Sequence, residues 1–81
     1  MDWHVYVLQS ETDGRRYVGM SSDVERRLTE HNSGQVTSTK SHRPYAIIYQ
    51  ETLPDRHKAR SREKYLKSGA GREFITSRIP R

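Results

Sequence analysis

The residue that most invites a chemical interpretation is Glu63. It is the only acid in residues 56–72, a stretch that carries seven Lys or Arg residues. If this stretch is a helix, Ala59, Glu63 and Leu66 share one face, because residues three and four apart lie on the same side of a helix. Burying a carboxylate there is costly unless a cation or a half-open site compensates it. Glu63 is therefore either the anchor of a divalent cation or half of a structural ion pair. Three neighbouring cations could complete such a pair: Arg60, Arg62 and Lys67.

The preceding helical pattern contains a similar anomaly. Val24, Arg27, Leu28 and His31 follow the spacing of an inward helix face, where apolar residues are expected. Arg27 and His31 are thus neighbours one turn apart on that face. A basic pair on one helix and an acid on the other predict a polar site between helices and sheet. The alternative is a salt bridge between Arg27 and Glu63 with their aliphatic stems packed.

Two tyrosines belong to a predicted hairpin whose turn is Asp13-Gly14. A two-residue turn there pairs Leu8 with Gly19, and it places Tyr6 and Tyr17 on the same face of the sheet. A β-bulge at Gly14 would instead turn the side chains of one strand to the opposite face of the sheet. Gly19 leaves a gap on that face, as expected where a ligand or another backbone approaches closely. The alternative role of the tyrosines is that of ordinary core aromatics.

The elements that must position these side chains follow from local patterns. Residues 3–8 and 17–20 are rich in Val, Tyr and Trp and predict the two hairpin strands. Ser22 is a good helix N-cap with Glu25 at capping-box spacing, and Asn32-Ser33-Gly34 should end that helix.

The second half of the chain begins with a polar segment, residues 35–43, that predicts a loop. Residues 45–49 form the most apolar run and predict the central strand. Pro54-Asp55 should open the second long helix, which ends near Ser68-Gly69, and residues 71–77 predict one more short helical turn. This ββαβα order predicts a single α+β domain over residues 1–81, with a three-stranded antiparallel sheet flanked by helices.

Charge and composition narrow the class of partner. The 81 residues carry a net charge of +5, which makes a polyanion the leading partner. The absence of cysteine excludes disulfides and Cys-based zinc sites, and it fits a cytoplasmic protein. No segment resembles a signal peptide or a membrane span. The four histidines are His4, His31, His42 and His57. Their spacing lacks the pairing typical of metal ligands, which argues against a zinc site made of histidines alone.

Basic residues outside the inward faces predict a surface for the nucleic-acid backbone. Phosphate contacts of this kind position a duplex without reading its bases. The alternative is an ordinary solvated basic surface. The candidates lie in the 35–43 loop and on the second long helix: Lys40, His42, Arg43, Lys58, Arg60 and Arg62.

These residues together resemble the GIY-YIG nuclease domain. The motif reads His4-Val5-Tyr6, then Tyr17-Val18-Gly19, then Arg27 ten residues beyond Tyr17, followed by His31 and Glu63. The resemblance covers residues 5 to about 74 and is greatest to the small stand-alone bacterial members. His4 replaces the family's usual Gly and adds a side chain near the site, whereas valine for isoleucine at positions 5 and 18 suits a strand equally well.

The resemblance implies a divalent-metal-dependent endonuclease acting on DNA, with Glu63 holding one Mg²⁺ or Mn²⁺ ion. It further implies that Arg27 contacts the scissile phosphate, that Tyr6 and Tyr17 handle the attacking water, and that His31 supports a tyrosine or the leaving group. We favour Tyr6 as the proton acceptor, because His31 could take its proton in turn.

Few residues remain for reading bases, so we expect little sequence specificity. Duplex and branched or damaged DNA stay open as substrates, and so does RNA. The alternative function is a non-catalytic nucleic-acid-binding module that keeps the fold. A purely structural domain would leave the inward Arg27, His31 and Glu63 unexplained.

Overall fold

Three antiparallel strands and three α-helices form the domain in the computed structural model, which describes residues 2–37 and 39–78. The α+β prediction is thereby confirmed. The strands lie in the order β2-β1-β3, and a short 3₁₀ helix precedes β3. The bounds are β1 Trp3–Ser10, β2 Arg16–Ser21, α1 Val24–Ser33, the 3₁₀ helix Lys40–His42, β3 Tyr45–Leu53, α2 Arg56–Lys67 and α3 Gly69–Arg78.

The central strand is β1, so the prediction that residues 45–49 lie in the centre is wrong. Residues 5–8 of β1 are all buried, because helices cover both faces of the sheet. Val5 and Val7 pack towards α2 and α3, whereas Tyr6 and Leu8 pack towards α1. The prediction favoured the longer apolar run at residues 45–49 over residues 5–8, yet residues 5–8, including Tyr6 at 1% exposed, are the more deeply buried. Apolar content alone therefore misidentified the centre of the sheet.

The hairpin register differs from the prediction by two residues. Tyr6 lies opposite Gly19 and Leu8 lies opposite Tyr17. The loop is longer than two residues, because the Ser10 and Arg15 backbones close it with a hydrogen bond of 2.7 Å. A shift of two residues preserves the side-chain alternation. The prediction that Tyr6 and Tyr17 share a face is therefore confirmed, and the shift brings them closer together.

Helix α1 begins one residue later than predicted. Asp23, and not Ser22, is the N-cap, and its carboxylate accepts a hydrogen bond from the Arg26 amide at 3.1 Å. The Ser21 hydroxyl holds the cap by accepting from the Asp23 amide at 2.9 Å. The predicted end of α1 is confirmed, since Gly34 adopts a left-handed conformation with φ 85°.

The second long helix begins as predicted, with Asp55 as the N-cap of α2. The predicted short turn at residues 71–77 is instead a ten-residue helix, α3. Gly71 explains how α3 can pack so closely on α2. A Cβ atom at that position would lie 2.1 Å from the Tyr65 carbonyl oxygen, so only glycine permits this approach. Within the described residues, no helix has the length and apolar composition needed to cross a membrane.

Candidate active site

Gly19 provides the space in which the two tyrosines meet. A Cβ atom on Gly19 would lie 2.6 Å from the Tyr6 hydroxyl and 3.0 Å from a Tyr17 ring carbon. The predicted gap on this strand face is therefore filled by the tyrosine rings. Tyr6 is buried and Tyr17 is partly exposed. The missing side chain in β2 thus sets the distance between two phenols, and no other residue type could occupy this position without displacing one of them.

Arg27 projects from α1 to the Tyr6 hydroxyl. Burial raises the pKa of Tyr6, the Arg27 guanidinium lowers it, and the charges of Tyr17 and Glu63 raise it further, with a net increase. The hydrogen bond to Tyr6 raises the pKa of Arg27. Burial lowers this pKa, and the hydrogen bond to Glu30 raises it again, so the pKa remains above its ordinary value. Arg27 Nη1 donates to Glu30 Oε1 at 2.6 Å. Arg27 therefore remains a cation, next to a phenol that stays protonated at neutral pH.

The expected alternative, a salt bridge between Arg27 and Glu63, is not formed. Among the described residues, Arg27 has Glu30 as its carboxylate partner. The Arg27 side chain is 31% exposed, so its guanidinium is accessible to an anion from solvent. This accessibility is what a phosphate ligand requires, because Arg presents a planar fork to phosphate oxygens.

His31 is fully buried beneath the tyrosines. Its ring centroid lies 4.7 Å from that of Tyr17 and 6.0 Å from that of Tyr45. His31 Nδ1 lies 2.7 Å from Thr39 Oγ1, and the same hydroxyl donates to the Val36 carbonyl oxygen at 3.3 Å. If the hydroxyl hydrogen is used in that bond, Nδ1 donates the hydrogen between the two side chains; if the hydroxyl donates to Nδ1 instead, Nε2 carries the ring hydrogen.

The first of these tautomers, in which Nδ1 carries the hydrogen, leaves His31 Nε2 as a lone-pair acceptor. Nε2 is buried and has no hydrogen-bond partner among the described residues. Burial lowers the pKa of His31, and the positive charge of Arg27 lowers it further. His31 is therefore neutral near pH 7 and can accept a proton at Nε2. A buried acceptor without a partner costs stability and calls for an explanation.

Glu63 lies on the inward face of α2, as the periodicity predicted, and its side chain is 9% exposed. Arg60 Nη1 lies 3.0 Å from Glu63 Oε1, and Lys67 Nζ lies 3.6 Å from Oε2. Both cations are more than half exposed. Arg62, the third expected partner, instead pairs with Glu51 at 2.8 Å. The carboxylate is therefore held between two side chains that solvent can displace.

The donor set around Glu63 fits only one kind of metal site. The part of the chain that the structure describes contains no group of three or more His, Cys, Asp or Glu residues placed to hold an ion. A single carboxylate suits a hard divalent cation that retains most of its waters and takes phosphate oxygens from a substrate. It does not suit a closed structural site.

The structure thus brings Tyr6, Tyr17, Arg27 and His31 together. Glu63 comes from the other side of the sheet, close enough for its charge to raise the pKa of Tyr6. The tyrosines come from β1 and β2, Arg27 and His31 from α1, and Glu63 from α2. Their catalytic roles remain predictions.

The predicted backbone-binding residues of the 35–43 loop have different environments. His42 donates from Nδ1 to Asp13 Oδ2 at 2.6 Å and is partly buried. The Arg43 guanidinium crosses Gly34, where a Cβ atom would lie 2.0 Å from Arg43 Nη1. Lys40 is exposed. His42 therefore connects this loop to the hairpin turn, whereas Lys40 projects into solvent.

The candidates on α2 also separate into two groups. Lys58 and Arg60 are exposed. Arg62 stacks over the Tyr65 ring at 4.8 Å, in addition to its ion pair with Glu51. Arg62 is thus held by intramolecular contacts, and its guanidinium is less available to a phosphate than the Lys58 ammonium or the Arg60 guanidinium.

Sequence reasoning missed three residues that support the site. Thr39 sets the His31 tautomer, Glu30 pairs with Arg27, and Asn32 binds the Tyr45 backbone through both its amide atoms at 2.7 and 3.2 Å. The i+3 spacing of Arg27 and Glu30 was a readable signal. Thr39 and Asn32 act across loops, and no spacing rule reveals such contacts. His4, which replaces the usual glycine, bonds Thr52 Oγ1 through Nδ1 at 3.0 Å.

Comparison with known proteins matches residues 2–73 to the GIY-YIG catalytic domain. A UPF0213 protein of Desulfotalea psychrophila is 42% identical over 67 residues, which are 80% of this chain and 60% of that protein. A UPF0213 protein of Staphylococcus saprophyticus is 36% identical over 69 residues, 84% of each chain. The solution NMR structure of a UPF0213 protein from Bacillus halodurans is similar with a TM-score of 0.58 and 30% identity, over 95% of this chain and 84% of that one.

Proposed function

Because this chain belongs to the GIY-YIG family, we propose that it is a divalent-metal-dependent endonuclease that hydrolyses phosphodiester bonds in DNA with little sequence specificity. The observation that supports this most directly is the buried His31 Nε2, which has no partner among the described residues and whose ring packs against Tyr17 and Tyr45 near the charge of Arg27. A structural histidine would be expected to use both ring nitrogens.

In this mechanism Arg27 binds the scissile phosphate. Its guanidinium stays charged and partly exposed, held in place by Glu30 at 2.6 Å. As negative charge grows on the phosphoryl oxygens, a preorganised planar donor stabilises it without reorganising. Glu30 thereby acts as a positioning residue for Arg27.

Tyr17 is the better candidate to take a proton from the attacking water. Burial raises the pKa of Tyr6 and keeps that phenol protonated, so Tyr6 is better suited to donate a hydrogen bond. The centroid of the His31 ring lies 4.7 Å from that of Tyr17. For the neutral Nε2 to receive the phenol's proton as the phenol receives one from water, the Tyr17 hydroxyl would have to move into hydrogen-bonding distance, because Nε2 has no partner among the described residues. This differs from the sequence-based preference for Tyr6.

Glu63 would hold the divalent ion through one oxygen after Arg60 or Lys67 moves aside. When bound, an Mg²⁺ or Mn²⁺ ion would polarise a phosphoryl oxygen and stabilise the oxygen that leaves. The two cations beside Glu63 are exposed, and a substrate phosphate offers them an alternative partner. Substrate binding would therefore free the carboxylate for the ion.

The DNA backbone would contact the exposed cations Lys40, Arg43, Lys58 and Arg60. Together with the net charge of +5, they provide the sequence-independent attraction that phosphate contacts supply. Few residues of this short chain remain for reading bases, which supports low specificity. DNA in duplex or branched form is the proposed substrate, and RNA is the comparison substrate for the test below.

One observation favours a second candidate, a nucleic-acid-binding module without turnover. Both oxygens of Glu63 already face a cation, at 3.0 and 3.6 Å. If these pairs persist with substrate bound, no metal ion can bind the carboxylate. The protein would then bind nucleic acid through the same cations but cleave nothing.

The two candidates separate in a plasmid-nicking assay. Purified protein is incubated with supercoiled plasmid in Mg²⁺, in Mn²⁺ and in a chelator, with structured RNA as a parallel substrate. We expect nicking that requires the divalent ion and that Tyr17→Phe abolishes. Tyr65→Phe is the matched control, because Tyr65 is an exposed tyrosine on the outer side of α2, and it should nick like the wild type. Plasmid binding without nicking in either metal would establish the second candidate.

A further inference from the structure

A cavity of about 250 Å³ lies on the α2 and α3 side of β2. Its interior consists of apolar side chains, of which Val7, Leu66 and Ile75 are among the most buried in the molecule. Its opening carries three exposed cations, Arg16, Lys67 and Arg72. No acid is among the lining residues. The cavity therefore combines an apolar interior with a positively charged opening.

The cations at the opening are available to a ligand. Arg16 bonds the neutral side chains of Gln9 and Thr76 at 3.0 and 3.2 Å. Within the described residues, neither Arg16 nor Arg72 has a carboxylate within ion-pair distance. Two guanidinium groups without a counter-charge at one opening favour an anion there.

The cavity adjoins the proposed active site through two shared residues. Tyr17 is among the lining residues, with its ring on the opposite, α1 face of the sheet against His31. Lys67 lies at the opening and 3.6 Å from Glu63 Oε2. A phosphate at the opening would therefore lie one side chain away from the carboxylate proposed to hold the metal ion.

We infer that this cavity receives one nucleotide of the substrate strand beside the cut, with its phosphate on Arg16 and Arg72 and its base against Val18, the partly exposed apolar residue of the lining. The inference rests on the proposed nuclease function and names its substrate class. A base can reach the cavity only by leaving the helical stack, which is least costly where it is already unpaired. The preferred substrate is thus DNA with an unpaired nucleotide at the cleavage position.

A binding experiment tests the cavity without any need for turnover. The protein is titrated with thymidine monophosphate, thymidine and inorganic phosphate, and binding is followed by the methyl resonances of Val18, Leu66 and Ile75. We expect the monophosphate to shift these resonances and to bind on the order of tenfold more tightly than either fragment, which corresponds to about 1.4 kcal/mol. Inorganic phosphate binding as tightly as the nucleotide would overturn the base-binding role, and shifts confined to other residues would overturn the site.

Two matched variants locate the anion-binding part. Arg72→Gln removes one exposed charge at the opening and should weaken binding of the monophosphate several-fold. Arg26→Gln removes another exposed positive charge, from α1 on the opposite face of the sheet, and should leave binding unchanged. Equal effects of both substitutions would mean that net charge alone drives binding, which would overturn the inference.

Cleavage then distinguishes this inference from the proposed function. Duplexes with and without one unpaired thymidine at a fixed position are compared, and kcat/KM should favour the unpaired substrate by on the order of tenfold or more. The Arg72→Gln variant should lose most of that preference. Equal cleavage of both duplexes overturns the inference and retains the nuclease. Specific binding of the monophosphate without cleavage of any DNA supports the cavity and overturns the nuclease.

Discussion

Replacing Glu63 with glutamine separates a metal ligand from a structural ion pair. Glutamine keeps the size of the side chain and removes the charge. In the structure that charge faces Arg60 and Lys67, whose side chains are 62% and 54% exposed. Ion pairs with exposed cations contribute about 0–1 kcal/mol, so the free energy of unfolding should fall by about 1 kcal/mol. For a domain of this size that corresponds to about 4–8 °C in melting temperature.

Breaking a fully buried ion pair would have a much larger effect. Leaving a buried guanidinium without its partner costs about 3–5 kcal/mol, which would lower the melting temperature by roughly 12 °C or more. The Glu63 environment excludes this case among the described residues, because both of its partners lie at the surface. The expected Glu63→Gln protein is therefore folded, melts slightly earlier than the wild type, and binds DNA at least as tightly, since a negative charge near phosphate is gone.

The assay combines thermal melting, DNA binding and plasmid nicking on one preparation. Glu63→Gln should nick no plasmid in Mg²⁺ or Mn²⁺. Glu73→Gln, the same chemical change at an exposed position of α3, should melt, bind and nick like the wild type. A stable Glu63→Gln protein that still nicks plasmid at the wild-type rate would refute the metal-binding role. A loss of more than about 12 °C would refute the reasoning from surface exposure.

Three further predictions concern the cations and the buried histidine. Arg27→Lys should lower turnover by on the order of a hundredfold with little loss of affinity, because lysine lacks the planar fork; wild-type turnover would reduce Arg27 to a partner of Glu30. Lys40→Ala should flatten the log–log salt dependence of DNA binding by about one unit on any duplex, and a loss confined to one sequence would contradict a backbone contact. The free energy of unfolding should decrease as pH falls below 6.5, the ordinary pKa of histidine, by up to about 1.4 kcal/mol per pH unit. The reason is that His31 binds a proton more readily in the unfolded chain than in the folded protein, where burial lowers its pKa. Urea unfolding of His31→Phe from pH 7.5 to 5.5 should lack that decrease, and an unchanged slope would assign it to other groups.

The sequence predicted which polar side chains face inward better than it predicted the register of the hairpin. Arg27, His31 and Glu63 were identified because helix periodicity is insensitive to small errors in helix bounds. The shared face of Tyr6 and Tyr17 was also correct, because side-chain alternation tolerates the two-residue error in register. These successes depend on periods, which a few local residues determine.

Features that depend on contacts between distant segments were not predictable. The hairpin loop is longer than its Asp13-Gly14 signal suggested, because the Ser10 backbone and hydroxyl bond several loop amides. The cavity beside Tyr17 needs Arg72 and Ile75 from α3, which the sequence presented as only a short turn. The His31 tautomer depends on Thr39, eight residues away in a loop. None of these follows from propensity or pattern.

The unpartnered nitrogen of His31 also bears on the choice between a nuclease and a module without turnover. An unsatisfied buried polar atom costs about 1–3 kcal/mol. A domain of 81 residues has a total stability of roughly 4–12 kcal/mol at ordinary values per residue, so the cost is a considerable part of it. A single substitution of His31 by an apolar residue would remove this cost, and it would not weaken DNA binding through the exposed cations. A binding module therefore gains nothing from this atom, whereas a catalyst that needs a neutral proton acceptor beside Tyr17 does.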